Sequence, residues 1–222
     1  MKKYAVIALA LAGLCGKAQA QSESGAYIGV NFMPTITSFE VRQIDNGTAK
    51  AKFVLGYGFG GQFGYNFNPH FATQVEGIYS TLSQKYTDRA EERVIKLSYV
   101  HFPILLRYNT DITKPVNFNI VAGPQFGLNV GSSLSGGDGG ATDTVQAVLA
   151  VKPADFGVAY GAGFNFGLGP NANPKINLGF RGVYGVLDIS DRSQTTTTNQ
   201  FYILDRSHVK TYAGVLGLTY LF

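Results

Sequence analysis

Residues 53–68 constrain the fold of this chain more than any other stretch. The odd positions hold Phe53, Leu55, Tyr57, Phe59, Gly61, Phe63, Tyr65 and Phe67, and the even ones Val54, Gly56, Gly58, Gly60, Gln62, Gly64, Asn66 and Asn68. Successive side chains of a strand point to opposite faces, so one face is large and apolar and the other nearly all Gly, Gln and Asn. The outer face of a soluble sandwich carries charge, and here neither face has any. Glycine suits a crowded lumen, where curvature and neighbouring side chains leave little room. The pattern predicts lipid on the apolar side and a lumen on the other.

Residues 155–169 repeat the design. Phe156, Val158, Tyr160, Ala162, Phe164, Phe166 and Leu168 alternate with Asp155, Gly157, Ala159, Gly161, Gly163, Asn165, Gly167 and Gly169. Weaker versions occur at residues 26–33, 71–81, 95–108, 116–130, 175–187 and 209–222. Eight is an even strand number and the smallest of the common membrane barrels, and most candidates reach the 9–11 residues or so needed to cross hydrocarbon. The links alternate in length. Residues 68–70, 109–115 and 169–174 are short and rich in turn formers, whereas 34–52, 82–94, 131–153 and 188–208 are long. Short periplasmic turns and long outer loops mark outer-membrane barrels. The expectation is an all-β, eight-stranded, antiparallel, up-and-down transmembrane β-barrel.

Composition agrees. Charged residues make up 14% of the chain, against about 25% in an average globular protein. The 28 glycines disfavour a helical bundle, and 16 Phe with 13 Tyr disfavour disorder. No run of 18 apolar residues exists to form a spanning helix. Residues 1–20 read as a cleaved signal peptide: Met1-Lys2-Lys3, an apolar stretch, then Ala18-Gln19-Ala20. The barrel domain is then 21–222. The lone cysteine, Cys15, falls within the leader, with Leu14 where a lipoprotein signal wants a small residue. Disulfides, cysteine-based zinc sites and thiol catalysis drop out of the mature chain. Lys2, Lys3 and Lys17 leave with the leader and no acidic residue does, so the formal charge falls from +4 to +1. That value does not indicate a nucleic-acid partner.

The final strand also carries an expected assembly signal. Phe222 stands last, and Tyr212, Leu216, Leu218 and Tyr220 share its face, the pattern favoured by bacterial barrel-assembly machinery.

The segment Tyr99-Val100-His101-Phe102-Pro103-Ile104-Leu105-Leu106-Arg107-Tyr108 is similar to the Y-L-x-I-P-L-L-L-(K/R)-Y strand of the PorT-like outer-membrane β-barrel family of Gram-negative bacteria. Ala122-Gly123-Pro124, Asp155-Phe156-Gly157, and Arg181 with Tyr184-Gly185 resemble further strands of that family, and the likeness covers the mature chain. It departs at His101, where the family often has an acidic residue, which weakens any inference about lumen polarity there. The resemblance implies an outer-membrane location, and it implies assistance to protein secretion more weakly.

On the assigned faces Glu76, His101, Arg107, Asp155 and Arg181 point into the lumen. Eight strands leave just enough room for side chains to fill the interior, and ionisable groups at membrane depth must pair or meet water. The expected role is a polar plug, with Glu76 and His101 paired across adjacent strands. An acid–base site there has no positioned nucleophile. A barrel enzyme acting on lipid or peptide at the outer rim is the alternative, built on His208 with Asp188, Ser190, Asp191, Ser193 and Asp205. A narrow solute channel is a further one.

Gly56 to Gly61 formally matches a dinucleotide-binding glycine pattern, but that mechanism needs a helix after the glycines. Gly136 to Gly140 is a single copy of a calcium-repeat fragment that works only in stacks. The sequon at Asn46-Gly47-Thr48 has no expected use in a bacterial barrel. Lys85, Asp88, Arg89, Glu91, Glu92, Arg93 and Lys96 give the second loop mixed charge. No cofactor and no metal are expected. The partners expected are outer-membrane lipid, the assembly machinery, and a protein or surface glycan at the outer loops.

Overall fold

The structure is a computed structural model that describes residues 24–38, 52–88, 91–135, 146–148, 150–168, 172–191, 200–202 and 208–222. Eight strands form the barrel: β1 Gly25–Ser38, β2 Leu55–Asn66, β3 Phe71–Asp88, β4 Glu91–Asn109, β5 Val116–Ser135, β6 Ala154–Gly167, β7 Lys175–Gly185 and β8 Lys210–Leu221. Each pairs antiparallel with the next, and β8 returns to β1 with Leu216 opposite Phe32. Closure leaves no unpaired barrel edge. The predicted leader, residues 1–20, lies outside the described residues.

Strands form where the two-residue beat is cleanest. In β2 the odd residues Leu55 to Tyr65 are exposed, while Gly56, Gly58, Gln62, Gly64 and Asn66 are buried. Exposed apolar side chains run right round the barrel, from Ile28, Val30 and Phe32 on β1 to Leu216, Leu218 and Tyr220 on β8. Aromatic pairs gather towards the short turns: Phe71 with Tyr108 at 5.4 Å, Phe118 with Phe164 at 5.3 Å and Tyr220 with Phe222 at 5.3 Å. A second set, Phe126 with Phe156 and Phe180 with Tyr212, stands nearer the loops. Such girdles are where aromatic rings meet a membrane interface. The crowding predicted for lumen glycines is visible at Gly64, where a Cβ would stand 2.2 Å from Cζ of Tyr27.

The strand ends differ from expectation at the loop end. Residues 82–94, expected as the second long loop, are mostly a hairpin, with Asp88 opposite Glu91 and Lys85 opposite Val94. The physical reason is that strands need not stop where the lipid does. Leu82, Gln84, Ile95, Leu97 and Tyr99 keep the inward beat and are buried, while charged residues share the same hairpin. Strand β1 likewise continues past residue 33 to Ser38, with Pro34 on its outer face. A two-residue strand, Lys52–Phe53, extends β2 beyond Val54 and pairs with Lys85 and Gln84. Gln146–Val148 and Gln200–Tyr202 pair in parallel, outside the barrel sheet.

Candidate functional site

The lumen is where the chain concentrates its polar groups. Glu76 on β3 and Arg181 on β7 meet there. Arg181 donates from Nη1 to Oε2 and from Nη2 to Oε1, each at 3.0 Å. Counting round the barrel, β3 and β7 are opposite strands, so the bridge spans the lumen. Both side chains are almost fully buried, 0% exposed for Glu76 and 5% for Arg181. A planar guanidinium matches a carboxylate with two parallel hydrogen bonds, which secures direction as well as charge. Gln74 also donates to Glu76 Oε1, and Tyr27 Oη donates to Gln74 Oε1 at 3.0 Å.

The expected Glu76–His101 pair does not form. His101 stands opposite Ile78 and not Glu76, and its neighbours come from its own strand and from β5. Its ring stacks on Tyr99 at 5.3 Å, and its Nδ1 lies 3.2 Å from Gln125 Nε2. Glu76 turns instead to the fork of Arg181, which offers two donors where an imidazole offers one. Arg107 lies with its guanidinium 5.6 Å from the Tyr27 ring centroid. Asp155 is buried beside His101, since a Cβ on Gly127 would touch His101 Nδ1 at 3.0 Å and Asp155 Cβ at 3.4 Å. The five predicted lumen residues are therefore all buried, and one pair among them is joined.

Sequence reasoning missed the amide ladders. Asn31 donates to Gln62 at 3.0 Å, and Gln62 to Thr219 at 2.8 Å. Asn177 donates to Asn165 at 2.7 Å, and Asn165 to Asn117 at 2.8 Å. It also missed Lys175, which is buried and donates to the carbonyl of Ile112. The signal was present, because Lys175 shares parity with Asn177, Gly179 and Arg181. Two small cavities lie among the described lumen residues. One of about 30 Å³ lies on the loop side, against Met33, His101, Gln125 and Arg181. The other, of about 20 Å³, lies at the short-turn end. A single water needs about 10–15 Å³ on the same measure, so these are water-sized gaps on either side of the bridge.

The assembly-signal residues Tyr212, Leu216, Leu218, Tyr220 and Phe222 are all exposed on the outer face. Phe222 is tied back to β1 by its N–H, 3.0 Å from the carbonyl of Ala26. At the outer rim Ser190 Oγ donates to Asp188 Oδ1 at 2.6 Å, and Ser190 N donates to the same oxygen at 2.9 Å. That arrangement is a local turn. Ser193 and Asp205 lie outside the described residues, as do 136–140 and the sequon at 46–48. Gly56, Gly58, Gly60 and Gly61 fall within β2 with no helix after them, so the dinucleotide pattern has no mechanism here. No group of three or more His, Cys, Asp or Glu could hold a metal ion among the described residues.

Residues 18–191 match the outer membrane protein beta-barrel domain family. The chain belongs to that family. Its location is the bacterial outer membrane, whose barrels carry short turns on the periplasmic side and longer loops outside. Among solved structures it is similar to the outer membrane protein OprG from Pseudomonas aeruginosa, at 14% identity and a TM-score of 0.56, covering 92% of this chain and 99% of OprG. It is also similar to Neisserial surface protein A, at 16% identity and a TM-score of 0.48, covering 90% and 100%. Likeness to OprG at that identity speaks for the fold alone. No curated protein matches the chain.

Proposed function

We propose that this protein is a non-enzymatic outer-membrane barrel with a plugged lumen, and that it acts through the surface its outer loops present to a protein or a surface glycan. The observation that carries this reading is the Glu76–Arg181 bridge. It crosses the lumen, and the gaps described on either side of it, about 30 and 20 Å³, are water-sized. A buried ion pair joined by two hydrogen bonds resists removal of either partner. The narrower PorT-like likeness is part of what we propose, supported by the segment Tyr99 to Tyr108, which lies within β4.

In this reading outer-membrane lipid covers the exposed apolar belt, and the assembly machinery recognises the outer face of β8. Nucleic acid plays no part. The plug is tested by conductance of the purified barrel in planar bilayers. The expected result is a silent membrane, with current appearing only when Glu76 and Arg181 are both truncated. A persistent open state in the unaltered protein overturns it. Lipid and peptide hydrolysis assays with His208→Ala and His101→Ala controls test the non-enzymatic part, which fails if an activity is found that either change abolishes. Photo-crosslinking from outer-loop positions in intact cells recovers the partner. Secreted-protein levels in a deletion strain decide whether secretion is involved, and unchanged levels remove that role.

A further inference from the structure

The periplasmic end of the lumen is built differently from its centre. Arg107 on β4 and Lys175 on β7 both line the 20 Å³ cavity, at 8% and 5% exposure. The lining includes Asn109, Tyr27, Ile112 and Thr219, and contains no acidic residue. Glu76 is committed to Arg181 higher up, and Asp111, held in the neighbouring turn by Thr113, acts on Lys175 only from beyond ion-pair distance. Neither Arg107 nor Lys175 has a carboxylate within ion-pair distance among the described residues.

Lys175 uses one N–H on the carbonyl of Ile112 and keeps two. Arg107 rests on the Tyr27 ring, and its buried Nε finds no acceptor. Both side-chain atoms of Asn109, a residue only 1% exposed, also lack a partner. Two buried cations and a free amide thus face one small space. Buried charge without compensation is costly, and buried donors without acceptors add to that cost.

We propose that this cavity is an anion site, sized for a halide such as chloride, with Arg107 and Lys175 supplying the charge and Asn109 an amide donor. At about 20 Å³ the space exceeds one water but does not accommodate a phosphate with its four oxygens.

Bromide is the probe, because it replaces chloride and scatters anomalously. In crystals of the unaltered protein grown from non-ionic detergent with bromide, a peak is expected within about 3.5 Å of both the Arg107 guanidinium and Lys175 Nζ. Ordinary water density there and no anomalous signal overturn the proposal. In solution, broadening of the chloride NMR line by the barrel should fall about tenfold in affinity in Arg107→Gln, since hydrogen bonds to charged groups are worth roughly that much. Unchanged broadening in Arg107→Gln and in Lys175→Met also overturns it. Heat-modifiable gel migration confirms that each variant is folded. Phosphate competing as well as bromide would contradict the size assignment, and with it the site as drawn.

Discussion

On the loop side of the Glu76–Arg181 bridge the lumen mixes apolar side chains with hydroxyls and a few other polar groups, while on the periplasmic side amides and cations dominate. Met33, Ile78, Ala213 and Val215 form one buried apolar cluster, and Leu82, Ile95 and Leu97 continue inwards from the hairpin. Below the bridge stand Asn31, Gln62, Asn66, Asn109, Asn117, Asn165 and Asn177, with Arg107 and Lys175. The upper half contains a close-packed apolar cluster like that of a soluble core, beside buried Ser80, His101, Gln125 and Asp155. The lower half depends on directional hydrogen bonds, and both halves leave groups unmatched, Asn109 and Asn117 Nδ2 below and Ser80 Oγ and Asp155 Oδ1 above. One barrel therefore uses two kinds of filling, divided by an ion pair.

The sharpest way to break that division is at the bridge. Glu76→Ala strands Arg181 in the lumen and should cost about 3–5 kcal/mol in urea unfolding from lipid vesicles. Adding Arg181→Met should restore most of the loss, and a double variant no better than the single would show that the pair does not divide the halves. Above the bridge, Leu97→Ala should cost about 3 kcal/mol, the usual effect of a cavity in a packed core. Below it, Asn165→Ala cuts both links of the Asn177–Asn165–Asn117 ladder and should cost about 2 kcal/mol. If the asparagine change proves as costly as the leucine change, the two halves are alike in rigidity and the lumen is not divided at the bridge.

The smallest effect lies in the periplasmic turn. Thr113 donates to Asp111 Oδ1 from its hydroxyl at 2.6 Å and from its N–H at 2.9 Å, and these bonds hold the carboxyl below its ordinary range. A depressed carboxyl stabilises the fold above its unfolded-state pKa, and that contribution is lost as pH falls through the lower, folded value. Thr113→Val should raise the Asp111 midpoint in a carbon-detected NMR titration while leaving the lumen resonances unmoved.

The alternation of residues 53–68 and 155–169 made the strands and their inward faces legible, because that beat is local. The inward placement of Glu76, His101, Arg107, Asp155 and Arg181 followed from the same parity. What the sequence hid was who meets whom across the interior. Glu76 and Arg181 lie 105 residues apart on opposite strands, and their relative height depends on the stagger accumulated around the barrel. The hairpin of residues 82–94 was hidden for another reason. Its mixed charges resemble a solvated loop, yet Leu82, Ile95 and Leu97 carry the inward beat straight through it.

The bridge also has a place in time. Strands β3 and β7 cannot meet until the chain between them has paired in order and β8 has found β1, so the contact is a late arrival on the folding route. Interactions absent from the transition state act on the rate of unfolding and leave the rate of folding nearly untouched. Charge removal at Glu76 should therefore quicken the barrel's escape from the membrane while its insertion rate stays the same. The ion pair would then serve as a latch set only after the door has closed.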